Sequence, residues 1–72
     1  MTFRYYKLPT GAQVFVEAEC EGRWSVVGRS RHGPIALDMN TISGTKITRD
    51  EAVDIVGEDH ITSAEASARL GH

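Results

Sequence analysis

The hydrophobic pattern of the chain changes period once, at Thr48, and that change constrains the fold more than any other feature. Before it, Val14, Val16, Ala18 and Cys20 alternate with Gln13, Phe15, Glu17 and Glu19, the period of two that gives a strand one apolar row. After it, apolar residues recur at the three- and four-residue spacings of a helix, as in Ala52, Val53 and Val56. One element cannot satisfy both periods. Strands followed by helices predict an α+β fold, with the helices packed on one face of an antiparallel sheet.

The sheet reads as a three- or four-stranded meander over about residues 2–8, 12–20, 24–30 and 35–41. Phe3-Arg4-Tyr5-Tyr6-Lys7-Leu8 is rich in strand formers and ends at the turn signal Pro9-Thr10-Gly11. Trp24, Val26 and Gly28 share one face of the third strand. A three-residue loop, Glu21-Gly22-Arg23, pairs Cys20 with Trp24, Ala18 with Val26 and Val16 with Gly28, which joins the two apolar rows. A two-residue loop would set Ala18 against Ser25 and split them. Arg31-His32-Gly33-Pro34 is a loop, and Ile35, Leu37 and Met39 then alternate with Ala36, Asp38 and Asn40 as a fourth strand.

Two short helices are predicted over about 49–57 and 62–70. Thr48-Arg49-Asp50-Glu51 is a capping box and Gly57 a stop; Thr62-Ser63-Ala64-Glu65 repeats the box, with Gly71 as its stop. Glu58-Asp59-His60 links them. The stripe of the second helix, Ala64, Ala68 and Leu70, buries little apolar area, so that helix is lightly docked or completed by an interface. The segment from Thr62 to Gly71 resembles the opening helix of excisionase and MerR-type winged helix-turn-helix proteins, in which Thr-x-x-Glu-Ala leads through Leu-Gly into a recognition helix. Here the sequence ends at His72, where that recognition helix would begin, and capped packing helices are the reading preferred.

Seventy-two residues make a single small domain, and a domain of this size buries only about 60% of the surface its unfolded chain exposes. Its single cysteine, Cys20, allows no internal disulfide, and its place on the inward row reads as a small apolar side chain. The thin core invites help from a partner, most simply a second copy. The N-terminus has no signal-peptide pattern, and no run approaches the roughly 18 apolar residues of a membrane span, so a cytoplasmic location is expected. His32, His60 and His72 lack metal-ligand spacing, no Ser or Cys sits in a nucleophile motif, and no glycine loop matches a phosphate fingerprint. The expectation is therefore no enzyme, no metal and no cofactor.

The net charge of −2 argues against binding dominated by phosphate neutralisation, yet it conceals a basic front and an acidic back. Residues 1–33 carry five basic and three acidic side chains, and residues 34–72 three basic and seven acidic. Arg29, Arg31 and His32 in the loop after the third strand, with Arg23 and Trp24 at the preceding turn, are candidate recognition residues, because guanidinium groups offer paired donors to carboxylates or phosphates. Phe15 points away from the main apolar row and needs cover from Tyr5 or Tyr6 or from another molecule, which adds these three aromatics to the candidates. The expected function is a small protein-binding module, of the size and character of bacterial or bacteriophage accessory proteins that regulate or inhibit a larger machine. The second reading is a nucleic-acid-binding regulator using Arg4, Lys7, Arg23, Arg29 and Arg31.

Overall fold

The computed structural model of the chain describes residues 1–38 and 43–69. Five strands, β1 (Thr2–Lys7), β2 (Gln13–Cys20), β3 (Arg23–Ser30), β4 (Gly33–Ile35) and β5 (Thr45–Ile47), precede two helices, α1 (Arg49–Val56) and α2 (Glu58–Arg69). The sheet is antiparallel throughout, in the order β4-β3-β2-β1-β5. The α+β class and the helices behind the sheet agree with the sequence pattern, and the strand count exceeds it by one. The expected fourth strand over 35–41 is replaced by the short β4, its residues 39–41 lying outside the described residues.

The β2–β3 register differs from the expected one. Cys20 pairs with Arg23, Ala18 with Ser25 and Val16 with Val27, so the loop is the two-residue Glu21-Gly22. Both residues have positive φ, 53° and 80°, as in the primed turns whose twist matches that of the flanking strands. A shift of one residue moves every β3 side chain to the other face. Val27, Ser25 and Arg29 thus share the helix-covered face with Val14, Val16 and Ala18, while Trp24, Val26 and Gly28 join Phe15, Glu17 and Glu19 on the outer face. The adjacent valines of β3 make this affordable, since either phase places one of them inward.

On the covered face, Val14, Val16, Ala52, Val56, Ile61 and Ala64 form the buried cluster, with Phe3, Tyr5, Val27 and Ile47 packed against it. α1 begins at the Thr48 capping box and ends at Gly57, whose φ of 101° suits glycine. The carbonyl of Gly57 then accepts from the Ile61 N–H. α2 therefore starts at Glu58, not at 62, and Thr62 lies within it. Glu58 and Asp59, expected as a linker, are first-turn acids that favour a helix N-terminus. The earlier start brings fully buried Ile61 into the stripe ahead of Ala64 and Ala68. A fully buried isoleucine contributes about 1.5–3 kcal/mol, so α2 docks more firmly than an alanine stripe alone would allow.

The outer face is also partly covered. β4 and β5 lie at opposite edges, about 19 Å apart at strand spacings of about 4.8 Å, and residues 36–44 connect them. The described ends of this link rest on the outer face. A Cβ at Gly28 would lie 2.7 Å from Ile35 Cγ1 and 2.9 Å from Leu37 Cδ2; one at Gly44 would lie 2.8 Å from Phe15 Cε1. The two glycines let the connection approach the sheet. Tyr6 stacks on Phe15 with ring centroids 4.7 Å apart, and the outward-pointing Phe15 is buried.

Candidate functional site

The edge strands are short. β4 reaches only Gly28–Ser30 of β3, and β5 only Tyr5–Lys7 of β1. The β2–β3 hairpin therefore projects beyond both edge strands, and among the described residues its tip is the least covered part of the sheet. Trp24 and Met1, 59% and 57% exposed, are the large hydrophobic side chains left most open among the described residues. Both line one cleft of about 420 Å³ at this tip, together with Cys20, Arg23, Ala68 and Arg69. Cys20 is exposed, which corrects its expected burial: its row faces the helices, but it lies at the tip.

The electrostatics hold this surface in shape. Arg4, on the outer face of β1, donates to Glu17 and Glu19, each at 3.2 Å, and its guanidinium lies 5.6 Å from the centre of the Trp24 ring. The bond to Glu19, ahead of that to Glu17 and against some desolvation, raises its pKa above the ordinary arginine value. Exposed ion pairs of this kind add little stability; their effect here is to fix the cation against the indole. Arg69 in the last turn of α2 lies 5.9 Å from the centre of the Phe3 ring.

The structure separates the eight residues that the sequence singled out. Arg23 and Trp24 are exposed at the hairpin tip. Arg29 and Arg31 turn towards the helices. Arg29 is buried, with one terminal nitrogen donating to the Ser63 hydroxyl and its Nε without a partner among the described residues. Arg31 donates to the carbonyls of Ile55, at 2.7 Å, and Asp54, at 3.1 Å, where it satisfies carbonyls at the C-terminus of α1 and meets the negative end of its dipole. His32 is exposed at the opposite end of the sheet from Trp24. Phe15 and Tyr6 cover each other, and Tyr5 faces the helices.

Tyr5 belongs to a cluster that sequence reasoning missed. Its hydroxyl donates to Glu65 Oε2, and Arg49 holds both oxygens of the same carboxylate, through Nε at 2.8 Å and Nη2 at 3.2 Å. Nη2 also reaches Glu58 at 2.9 Å. Arg49 is the main reason the Glu65 pKa falls below the ordinary carboxylate value. Burial, then the bond to Glu65, pushes the Tyr5 phenol up to about 12. The cluster ties β1, α1 and α2 together. The sequence hid it because Glu65 fitted a second capping box, whereas α2 starts at Glu58 and carries Glu65 in its interior.

Among the described residues, no three His, Cys, Asp or Glu side chains converge as around a metal ion, and no helix is long and apolar enough to cross a membrane. Comparisons of the chain with protein-family models, with characterised proteins and with solved structures yield no significant match.

Proposed function

We propose that this chain is a non-enzymatic protein-binding module whose contact surface is the β2–β3 hairpin tip, acting as a small accessory or inhibitory protein on a larger partner. The observation that carries the reading is the convergence of the two exposed large hydrophobic side chains, Met1 and Trp24, on one cleft rimmed by Arg23 and Arg69. Tryptophan and arginine dominate the energetics of protein interfaces because they combine large apolar area with donors that can be fully desolvated. Trp24 already has one face against Arg4, so little side-chain freedom remains to be lost on binding. The nucleic-acid reading is weaker, because Arg4, Arg29 and Arg31 are each engaged within the molecule, which leaves Lys7 and Arg23 to meet phosphates.

The test is quantitative capture from a lysate of the native host, comparing the wild-type protein with Trp24→Ala and Arg23→Glu. A specific protein retained by the wild type and lost by both variants supports the reading. Retention of that protein by both variants contradicts it. Retention of DNA or RNA that is lost steeply as salt rises would favour the nucleic-acid alternative.

A further inference from the structure

We infer that the edge of β3 at Trp24 and Val26 takes up an extended, acidic segment of the partner protein as an added strand. This rests on the protein-binding reading and specifies the mode and the chemistry of the partner.

Two turns settle which backbone groups are open. Cys20 and Arg23 close the two-residue turn between β2 and β3, so Arg23, Ser25, Val27 and Arg29 direct their N–H and C=O groups towards β2. Ser30 and Gly33 close a second two-residue turn, so Ser30 and Gly28 direct theirs towards β4. By the same alternation, Trp24 and Val26 point their backbone groups to the side that β4 would occupy if it were longer. β4 ends at Ile35 opposite Gly28, where the chain leaves the strand track and Leu37 lies on the outer face against Gly28. No backbone hydrogen bond from a described residue reaches Trp24 or Val26 from that side. An open edge of this kind is a template for another strand, and proteins that do not use one normally block it. Here Pro34 and the link after β4 shield only the far half.

The surroundings of the edge favour one occupant. Beside it lies an apolar hollow of about 350 Å³ lined by Val26, Pro34, Ile35, Leu37 and Ser67, suited to an aliphatic side chain of the incoming strand. At the other end Arg23 is exposed at the tip, Glu21 is the single acid lining the cleft there, and Glu17 and Glu19 beside it are paired with Arg4; Arg69 lines the same cleft from over Phe3 of β1. A strand alternating aliphatic and acidic residues satisfies the hollow, the edge and the cations together. A second copy of this chain does so poorly. With its β3 antiparallel and Trp24 opposite Val26, its Gly22 would fall where Ile35 already stands beside Gly28, and its Arg23–Val27 segment carries no acidic residue to meet the cations.

The probe is a blocked hexapeptide alternating valine and glutamate, with a valine–lysine peptide as its counterpart. The readouts are hydrogen exchange at the Trp24 and Val26 amides and the fluorescence of Trp24, the single tryptophan of the chain. The glutamate peptide is expected to slow exchange at both amides and to bind more tightly than the lysine peptide. Val26→Pro removes an outward N–H that β2 does not use, a place where an edge strand tolerates proline, and is expected to weaken binding by about tenfold or more. Arg23→Glu, which asks nothing of the backbone, is expected to reverse the preference between the peptides. Unchanged exchange at both amides with millimolar glutamate peptide overturns the inference, as does wild-type affinity in Val26→Pro. A homodimer that Val26→Pro dissolves assigns the edge to a second copy and also overturns it. If Val26→Pro still captures the host protein that Trp24→Ala loses, strand addition fails while the protein-binding reading stands.

Discussion

Glu65 accepts hydrogen bonds from two side chains, Arg49 and Tyr5, and its chemistry sets a pH dependence. Its carboxylate is held ionised by two bonds from Arg49 and one from the Tyr5 hydroxyl, so its pKa is lower in the folded chain than in the unfolded one. A depressed carboxylate contributes stability that is present above its unfolded value, about 4.3, and that disappears as the pH falls through its folded value. Acid titration followed by circular dichroism should show this loss in the wild type and a flatter response in Glu65→Gln. At neutral pH that variant should be less stable by about 1–2 kcal/mol in urea, the lower part of the range for a charge-assisted bond because the partner Arg49 is solvated. Tyr5 works in the opposite sense. Its phenol pKa is raised from 10 to about 12, so its contribution is intact below pH 10 and is lost as the pH rises through about 12. Ultraviolet titration should assign that late ionisation to Tyr5 by its absence in Tyr5→Phe.

Elements, more than single residues, show where sequence patterns are sufficient. Thr48 and Thr62 stand in the same Thr-x-x-Glu frame, yet only Thr48 is a cap, accepting from the Glu51 N–H while Glu51 accepts from the Thr48 N–H. Gly57 resolves the ambiguity, because its carbonyl starts α2 one residue after α1 ends. Thr48→Ala should cost about 1 kcal/mol in thermal or urea unfolding. Thr62→Ala, inside a helix and exposed, should be neutral or slightly stabilising. Equal losses in the two variants would restore the second cap. β2 was legible because its alternation runs over eight residues. Its register with β3 was not, because Val26 and Val27 fit either phase and a Glu-Gly turn is a weaker signal than Asn-Gly. β5 escaped notice because Thr45-Lys46-Ile47 is too short to display a period.

The sheet is covered from two sides, by α1 and α2 behind and by the described ends of the β4–β5 link in front. The link depends on glycine: Gly28→Ala would push a methyl group into Ile35 and Leu37 and should cost about 1–3 kcal/mol, the range for overpacking a close contact. Equilibrium unfolding checks this, and a neutral result would mean that the link does not bear on β3. Because the described ends of the link meet the sheet at Gly28, Phe15 and Tyr6 and both edge strands are short, the hairpin tip is the open end among the described residues. The sequence singled out Arg23 and Trp24 individually. The meander already sets them at the opposite end of β3 from Arg29 and Arg31; the sequence could not show that Arg29 is buried against Ser63 or that Arg31 reaches the end of α1. Nor could it show that, among the described residues, β4 stops at Ile35 and leaves Trp24 and Val26 of β3 without a neighbouring strand on that side.

If this chain binds protein through the hairpin tip, Trp24 lies in the contact and His32 does not. With 5-fluorotryptophan in place of tryptophan, the protein gives a single fluorine resonance, from Trp24. Titration with the captured host protein should move that resonance, while His32→Ala, at the far end of the sheet, should bind as the wild type does. A saturated complex in which the Trp24 resonance stays at its free position, or in which His32→Ala loses binding, would contradict the account.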